Sequence, residues 1–321
     1  MSTPSTVFTE MVSTTLRNFG SQVFDNMSDH NALYNRLNKR GRIKKEVGGG
    51  YEIQRTLTYA ENNTYQRFNG YDTLSIAASD VITSAKFDWC QAAVHVTASG
   101  RELRINSSRE KMIDLVKTRK QVAMDTAANN MSVDIYSSGS LPNQMGGLGL
   151  IIQSNGQGTV GGIDSGTWTF WRNQFNEATG TNTISKTTIK DEMREIWLPL
   201  VRGSEKPDLV VATHDFYSLY EASLDDNIRY KSTEIPDTFE TVKYKGADVI
   251  FDLNDNFAAT GEKMYFINSK YMEFVVHPDA NWTTESEKIS VNQDAVVIPM
   301  LFMGQLVCTN RARQGLLLDA A

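Results

Sequence analysis

The residues with most chemical potential are a glycine-rich run, four histidines, two cysteines, a group of aromatics and a cluster of bases. Gly156-Gln-Gly158-Thr-Val-Gly161 spells G-x-G-x-x-G after the apolar stretch Leu148 to Ile152. In a dinucleotide site the third glycine opens a helix whose N–H groups face the pyrophosphate. Here Gly162-Ile-Asp-Ser-Gly follows, which opens helices poorly, and no βαβ unit leads in. The expectation is a flexible loop, with a dinucleotide-binding α/β enzyme as the alternative. There is no G-x-x-x-x-G-K-[ST] phosphate loop and no G-x-S-x-G elbow. His30, His95, His214 and His277 occur singly, without the i, i+4 spacing of a metal helix. Cys90 and Cys308 fit no C-x-x-C pattern and read as two buried thiols. The expectation is therefore no catalytic residue, no metal and no cofactor.

Two further groups fit binding better than catalysis. Trp168, Phe170, Trp171 and Phe175 could form a stacking platform, but single-strand platforms pair aromatics with several bases, and this segment offers only Arg172. Packing under a loop is the expectation. The bases Arg36, Lys39, Arg40, Arg42, Lys44 and Lys45 could be a solvated run, a nucleic-acid contact or a docking strip for an acidic neighbour. Residues 1–50 carry net +3 and the remainder net −9, so identical copies would attract through that strip. An acidic body also disfavours general polyanion binding.

Composition bounds what these groups can serve. The 321 residues are 40% hydrophobic and 22% charged, enough to bury a core. The longest apolar stretch, Val296 to Met303, is interrupted by Pro299, against the roughly 20 residues of a membrane-spanning helix. No membrane segment is expected. Residues 1–11 hold no Lys or Arg and no apolar run, so synthesis in the cytoplasm is expected. Ser, Thr, Asn and Gln number 89 against 70 charged residues. That excess suits a surface shared with neighbours, since interface cores are depleted of Lys, Glu and Asp.

The elements that must position these groups follow from periodicity. A Ser/Thr-rich opening, a short helix between Phe19 and Leu37 and the basic cluster form an arm that ends at the hinge Gly48-Gly49-Gly50. Tyr51, Ile53, Leu57 and Tyr59 alternate with polar residues, which predicts a strand. Glu61 to Tyr71 is the polar tip of a long hairpin of about 20 residues per side. Such a ribbon is marginal by itself in water, and nothing within a lone monomer suggests itself as support. The return strand begins near Val81 with Ala85, Phe87 and Trp89 in odd phase, then Val94, Val96 and Ala98 in even phase. A bulge or twist near Gln91 must exchange its faces. Next, Ser107 with Glu110 forms a capping box for a helix of about 31 residues, with apolar positions at Met112, Leu115, Val116, Ala123, Ala127, Met131 and Ile135 and a stop at Gly139. Helices near Lys186 to Val201 and Asp215 to Leu224, strands at Leu209–Ala212, Val249, Tyr265 and Phe274, and long strands from Ile289 to Leu318 complete an α+β reading.

That order of parts, together with Gly146-Gly-Leu-Gly-Leu, Val201-Arg-Gly-Ser-Glu-Lys-Pro-Asp-Leu-Val-Val, Lys245-Gly-Ala-Asp-Val-Ile-Phe-Asp, Ser290-Val-Asn-Gln-Asp-Ala and Cys308-Thr-Asn-Arg-Ala-Arg-Gln-Gly, resembles the major capsid proteins of tailed bacteriophages. These share the Hong Kong 97-type fold with encapsulin shells. The resemblance runs from about Thr15 to Leu318. It implies an N-terminal arm at 1–50, an extended loop at 51–90, and a peripheral domain at 91–139 and 286–321 with a spine helix at 107–137. An axial domain would occupy 140–285. It further implies a non-enzymatic subunit that self-assembles through hexamers and pentamers into an icosahedral virion shell around double-stranded DNA, which it touches without sequence specificity. An encapsulin-like compartment is the same-fold alternative.

Arg67, Phe68 and Tyr71 at the loop tip, and Arg36, Lys39, Arg40, Arg42, Lys44 and Lys45 on the arm, are the expected subunit contacts. Arg and large aromatics are the types enriched at interface hot spots. The arm is too short for a fused scaffolding domain, so a separate scaffolding protein is implied, with a portal and a decoration protein as further partners. Cross-linking members of the fold join a loop lysine to a neighbour's asparagine. Here Arg55 to Ala85 contains no lysine and Lys86 lies at the base, so no covalent cross-linking is expected.

Overall fold

The computed structural model describes residues 32–46, 50–74, 77–105, 109–178, 184–224, 242–252, 262–284, 288–289 and 292–319. Its strands in chain order are β1 (Ile43–Lys45), β2 (Glu52–Thr58), β3 (Ile82–Asp88), β4 (Cys90–Ser99), β5 (Thr159–Val160), β6 (Ile163–Asp164), β7 (Gln174–Ala178), β8 (Leu209–Ala212), β9 (Val242–Tyr244), β10 (Ala247–Phe251), β11 (Lys263–Ile267), β12 (Met272–Thr284), β13 (Lys288–Ile289), β14 (Ala295–Cys308) and β15 (Gly315–Asp319). The helices are α1 (Ala32–Lys39), α2 (Gly100–Ile105), α3 (Arg109–Ile135), α4 (Leu148–Ile151), α5 (Ile189–Leu200) and α6 (His214–Ser223). The segment before Ala32, the Ser107 cap, the side chains of Met112, Leu115 and Val116, and Val291 lie outside what is described.

Two sheets carry the body. The first runs β1-β12-β14-β13, with β4 also paired to β14, and the second runs β7-β15-β11-β8-β10-β9. Side chains alternate across a strand, and β8 shows the consequence. Leu209 and Val211 face one apolar cluster shared with the first sheet, while Val210 and Ala212 face another beneath α5 and α6. A strand covered on both faces needs a continuous apolar run. Leu-Val-Val-Ala supplies it, with all four residues fully buried. From α5, Ile189, Met193, Ile196, Trp197 and Leu200 fill the second cluster at helical spacing, as do Phe216, Tyr217 and Tyr220 from α6.

Strand β14 continues through both of the residues that usually interrupt strands. Pro299 lies between the β13 ladder, which ends at Val297, and the β12 ladder, which begins at Met300. Its missing N–H therefore falls at a local edge. Gly304 packs where a Cβ would come within 2.8 Å of the Val275 carbonyl oxygen, so close approach of strands accounts for it. The C-terminal strands contribute to both sheets. Strand β12 belongs to the first sheet with β14, and β15 crosses to the second between β7 and β11.

At 1.5 Å per residue the 27 residues of α3 span about 40 Å. The helix lies against β4, and its small Ala123 packs with Val96 and Met300. Arg119 fixes the two: its guanidinium donates to the Thr97 carbonyl at 2.7 Å and to both Glu102 oxygens at 3.0 and 3.1 Å. Those bonds hold the Glu102 carboxyl below the usual carboxylate range, against the opposing effect of its burial.

Candidate subunit-contact surfaces

The ribbon β2-β3 begins in the body and ends outside it. Ile53, Leu57, Ala85 and Phe87 alternate inward and join the main core, which removes each from water for roughly 1.5–3 kcal/mol where the side chain is large. Tyr59 packs edge-on to Trp168, with ring centroids 5.7 Å apart, and against Phe170 at 5.8 Å. Arg55 reaches Glu46 at 2.9 Å and Glu273 at 3.0 Å. The base of the ribbon thus rests on its own chain, which corrects the expectation that a lone monomer offers no support. The ladder is also shorter than the 20 residues per side expected: Glu52–Thr58 pairs with Ile82–Asp88 and one further bond joins Tyr59 to Val81. The phase switch falls between β3 and β4, which separate at Trp89 into different sheets; this is the face exchange expected near Gln91.

Beyond the ladder the chain forms a loop shaped by its own polar side chains. Asn62 Oδ1 accepts from the Thr64 N–H at 2.9 Å, and Asp72 accepts from the Asn69 N–H at 2.8 Å. Gln66 donates to the Thr73 carbonyl at 3.1 Å. On this frame the aromatics point away from protein: Tyr65 is 82% exposed, Phe68 62%, and Tyr71 fully. Arg67 and Leu74 are exposed beside them. Arg67, Phe68 and Tyr71 are thus each exposed on the same loop.

The basic cluster divides. Arg36 is buried between Leu33 and Leu37 on the inner face of α1. It donates to Asp248 at 2.5 Å and to the Asp208 carbonyl at 2.8 Å, with the Asp208 carboxylate 3.4 Å away. Arg40 pairs with Asp208 at 3.3 Å and Arg42 with Glu273 at 3.5 Å. These three hold the end of the arm onto β8, β10 and β12. Arg36 is therefore removed from the candidate contacts, because its charge is spent inside the chain. Lys39, Lys44 and Lys45 face outward.

The candidate chemistry resolves into packing. Gly161 leads into β6, not into a helix, so the G-x-G-x-x-G run lacks the helix N-terminus that a pyrophosphate needs. Trp171 is buried and donates its Nε1–H to the Val160 carbonyl at 3.0 Å, so it belongs to the loop's interior. Burial pushes the Cys308 thiol up to about 12, leaving it inert at neutral pH. Among the described residues no group of three or more His, Cys, Asp or Glu side chains could hold a metal. No described helix is long and apolar enough to cross a membrane.

Two residues that sequence reasoning passed over are central here. Arg311 has no exposed surface and binds four acceptors, and Asp208 receives the arm from β8's approach. Neither position carries a local signal, since the nearest side-chain partner of Asp208, Ser269, lies 61 residues away and the acceptors of Arg311 lie 138 or more away.

No protein-family model matches the sequence, and no curated protein is similar to it. Solved structures give a clear answer for the backbone. The chain superposes on a subunit of the cyanophage A-1(L) capsid asymmetric unit with a TM-score of 0.64 and 14% identity, covering 94% of this chain and 96% of that one. The capsid of the native GTA particle gives 0.59 at 12% identity, with 95% and 96% covered. The capsid of Myoviridae phage XM1 gives 0.53 at 13% identity, with 95% and 97% covered. Two sheets, a helix of 27 residues and a projecting ribbon thus define the Hong Kong 97-type capsid fold in this α+β chain.

Proposed function

We propose that this chain is the major capsid protein of a tailed bacteriophage, a non-enzymatic subunit that assembles with copies of itself into the icosahedral head shell around double-stranded DNA. The observation that carries the reading is the ribbon tip. A loop braced by its own hydrogen bonds presents Arg67, Phe68 and Tyr71 to solvent. Exposed clusters of large apolar side chains mark interaction sites, and a contact between unlike surfaces of identical chains closes into rings and shells when the rotation permits. The capsid fold over 94% of the chain supports the same assignment.

Under this reading residues 51–90 are the extended loop that lies on a neighbour, and the shell is built from hexamers and pentamers. Lys39, Lys44 and Lys45 face acidic surfaces of adjacent copies. A separate scaffolding protein, a portal and a decoration protein are the further partners, the packaged DNA is touched without sequence specificity, and the mature protein resides in the virion after synthesis in the host cytoplasm. Electron microscopy of the protein expressed with and without the scaffolding protein tests this. Closed particles of uniform diameter are expected; a monomer at every concentration in both preparations would overturn it.

A further inference from the structure

The glycine-rich loop has a structural task that lies beyond the assembly role. Gly156, Gly158, Gly161 and Gly162 have φ of +68°, +105°, +60° and +75°, the left-handed region that favours glycine. At Gly156 and Gly161 a side chain also lacks room, and at Gly158 it would displace the end of Gln153. A Cβ would lie 2.9 Å from the Asn173 carbonyl oxygen at Gly156, 2.4 Å from the Gln153 amide at Gly158, and 2.9 Å from the Ala85 Cβ at Gly161. The last contact is with the ribbon. There the Gly161 carbonyl accepts the Lys86 N–H at 2.9 Å, and Phe87 Cζ would be 3.1 Å from an added Cβ.

From below, the loop is held by Arg311. Its Nε donates to the Ile151 carbonyl at 2.6 Å, Nη1 to Ser165 Oγ at 3.1 Å and Nη2 to Asn173 Oδ1 at 3.1 Å. Asn173 returns the tie, donating to the Gln153 carbonyl at 2.8 Å and accepting the Gln153 N–H at 3.0 Å. All these acceptors are neutral. Burial pulls the guanidinium down to about 10, so it keeps its charge at neutral pH. A buried cation satisfied by the loop at Ser165 and by its two flanks at Ile151 and Asn173 is fixed in place with them.

We propose that the loop from Gly156 to Trp171 is a post that sets the direction in which the ribbon leaves the body, with Arg311 as its positioning residue. The ribbon acts as a lever about this point. From Lys86, which bonds Gly161, to the far end of the ladder at Ile82 is roughly 13 Å, so a tilt of about 10° at Gly161 moves that end by about 2 Å. That displacement is about half the ~4 Å reach of a side-chain contact. The consequence for shells rests on the proposed function; the consequence for the monomer does not.

Amide hydrogen exchange of the monomer tests the post. Gly161→Ala should speed exchange of the 82–88 segment by about ten-fold, as expected for one lost hydrogen bond and a strained left-handed alanine. Exchange in Leu209–Ala212 should stay unchanged. Adding Ala85→Gly, which removes the nearest clashing atom, should recover part of the protection. Arg311→Lys keeps the charge but loses the fork, and should speed exchange in both 82–88 and the loop. Unchanged exchange in Gly161→Ala, equal loss of protection in Leu209–Ala212, or a lysine that behaves as wild type would each overturn the proposal. If wild type forms no shells but the exchange pattern appears, the assembly reading fails and the post stands.

Discussion

One hairpin contains both the best-buried and the most exposed aromatics of its region. At the base, Phe87 is buried with Ile53, Leu57 and Ala85, and Tyr59 leans on Trp168 and Phe170. At the tip, Tyr65, Phe68 and Tyr71 stand in solvent on a loop with a defined shape. The residue types are the same, and what differs is whether the chain supplies a partner. The inner face of the base is a folding element, finished within the monomer, whereas under the proposed function the tip is finished by a second molecule.

The contrast predicts a separation of stability from assembly. Phe87→Ala should lower the unfolding free energy by about 3–5 kcal/mol, the usual cost of removing a buried phenyl. Tyr71→Ala should leave the denaturation midpoint where it was. Similar denaturant curves for the two variants would break the comparison.

The basic cluster repeats the distinction on the arm. Removing one partner of a buried ion pair costs about 3–5 kcal/mol, so Arg36→Ala should loosen α1 and lower the thermal midpoint by several degrees. Lys44→Ala should not change it. Particle yield should respond in the reverse manner for Lys44, which a salt titration of assembly would sharpen.

A smaller effect follows from Glu102. Its folded carboxyl titrates below its unfolded value, so the folded state binds fewer protons and gains stability above the unfolded pKa near 4.3. That gain is lost as pH falls through the folded value. Thermal midpoints of wild type and Glu102→Gln should differ at pH 7 and draw together as acid takes the carboxyl through its lowered folded value. A difference that persists below that value would contradict the Arg119 pairing as its source. The smallest expected effect is none: Lys86, at the base of the ribbon, pairs with Glu52 at 3.2 Å. Mature particles should therefore run as a single monomer band on a denaturing gel, and a ladder of oligomers would show covalent joining.

What could be read from the sequence depended on distance along the chain. Alternation is local, so Ile53, Leu57, Ala85 and Phe87 against Val96 and Ala98 revealed both faces of the ribbon and the exchange between them. Helix α5 and strand β8 were legible for the same reason. The ladder length was overestimated because the Asn- and Ser-rich residues 61–80 alternate too weakly to fix a register. Arg36 stands in sequence among surface bases, and Arg311 carries no signal of its own. Their burial depends on Asp208 and Asp248, 172 and 212 positions away, and on acceptors at Ile151, Ser165 and Asn173. The strip of six bases was consequently read as one surface, although the fold draws Arg36 inward and leaves Lys39, Lys44 and Lys45 outside.

The central claim is that the ribbon tip is completed by another copy of the chain. Arg67, Phe68 and Tyr71 changed together to Ala tests it most directly, with particle formation by electron microscopy set beside thermal unfolding of the monomer. The account predicts a monomer with the wild-type unfolding midpoint and no closed particles. Normal particles from that variant would contradict it.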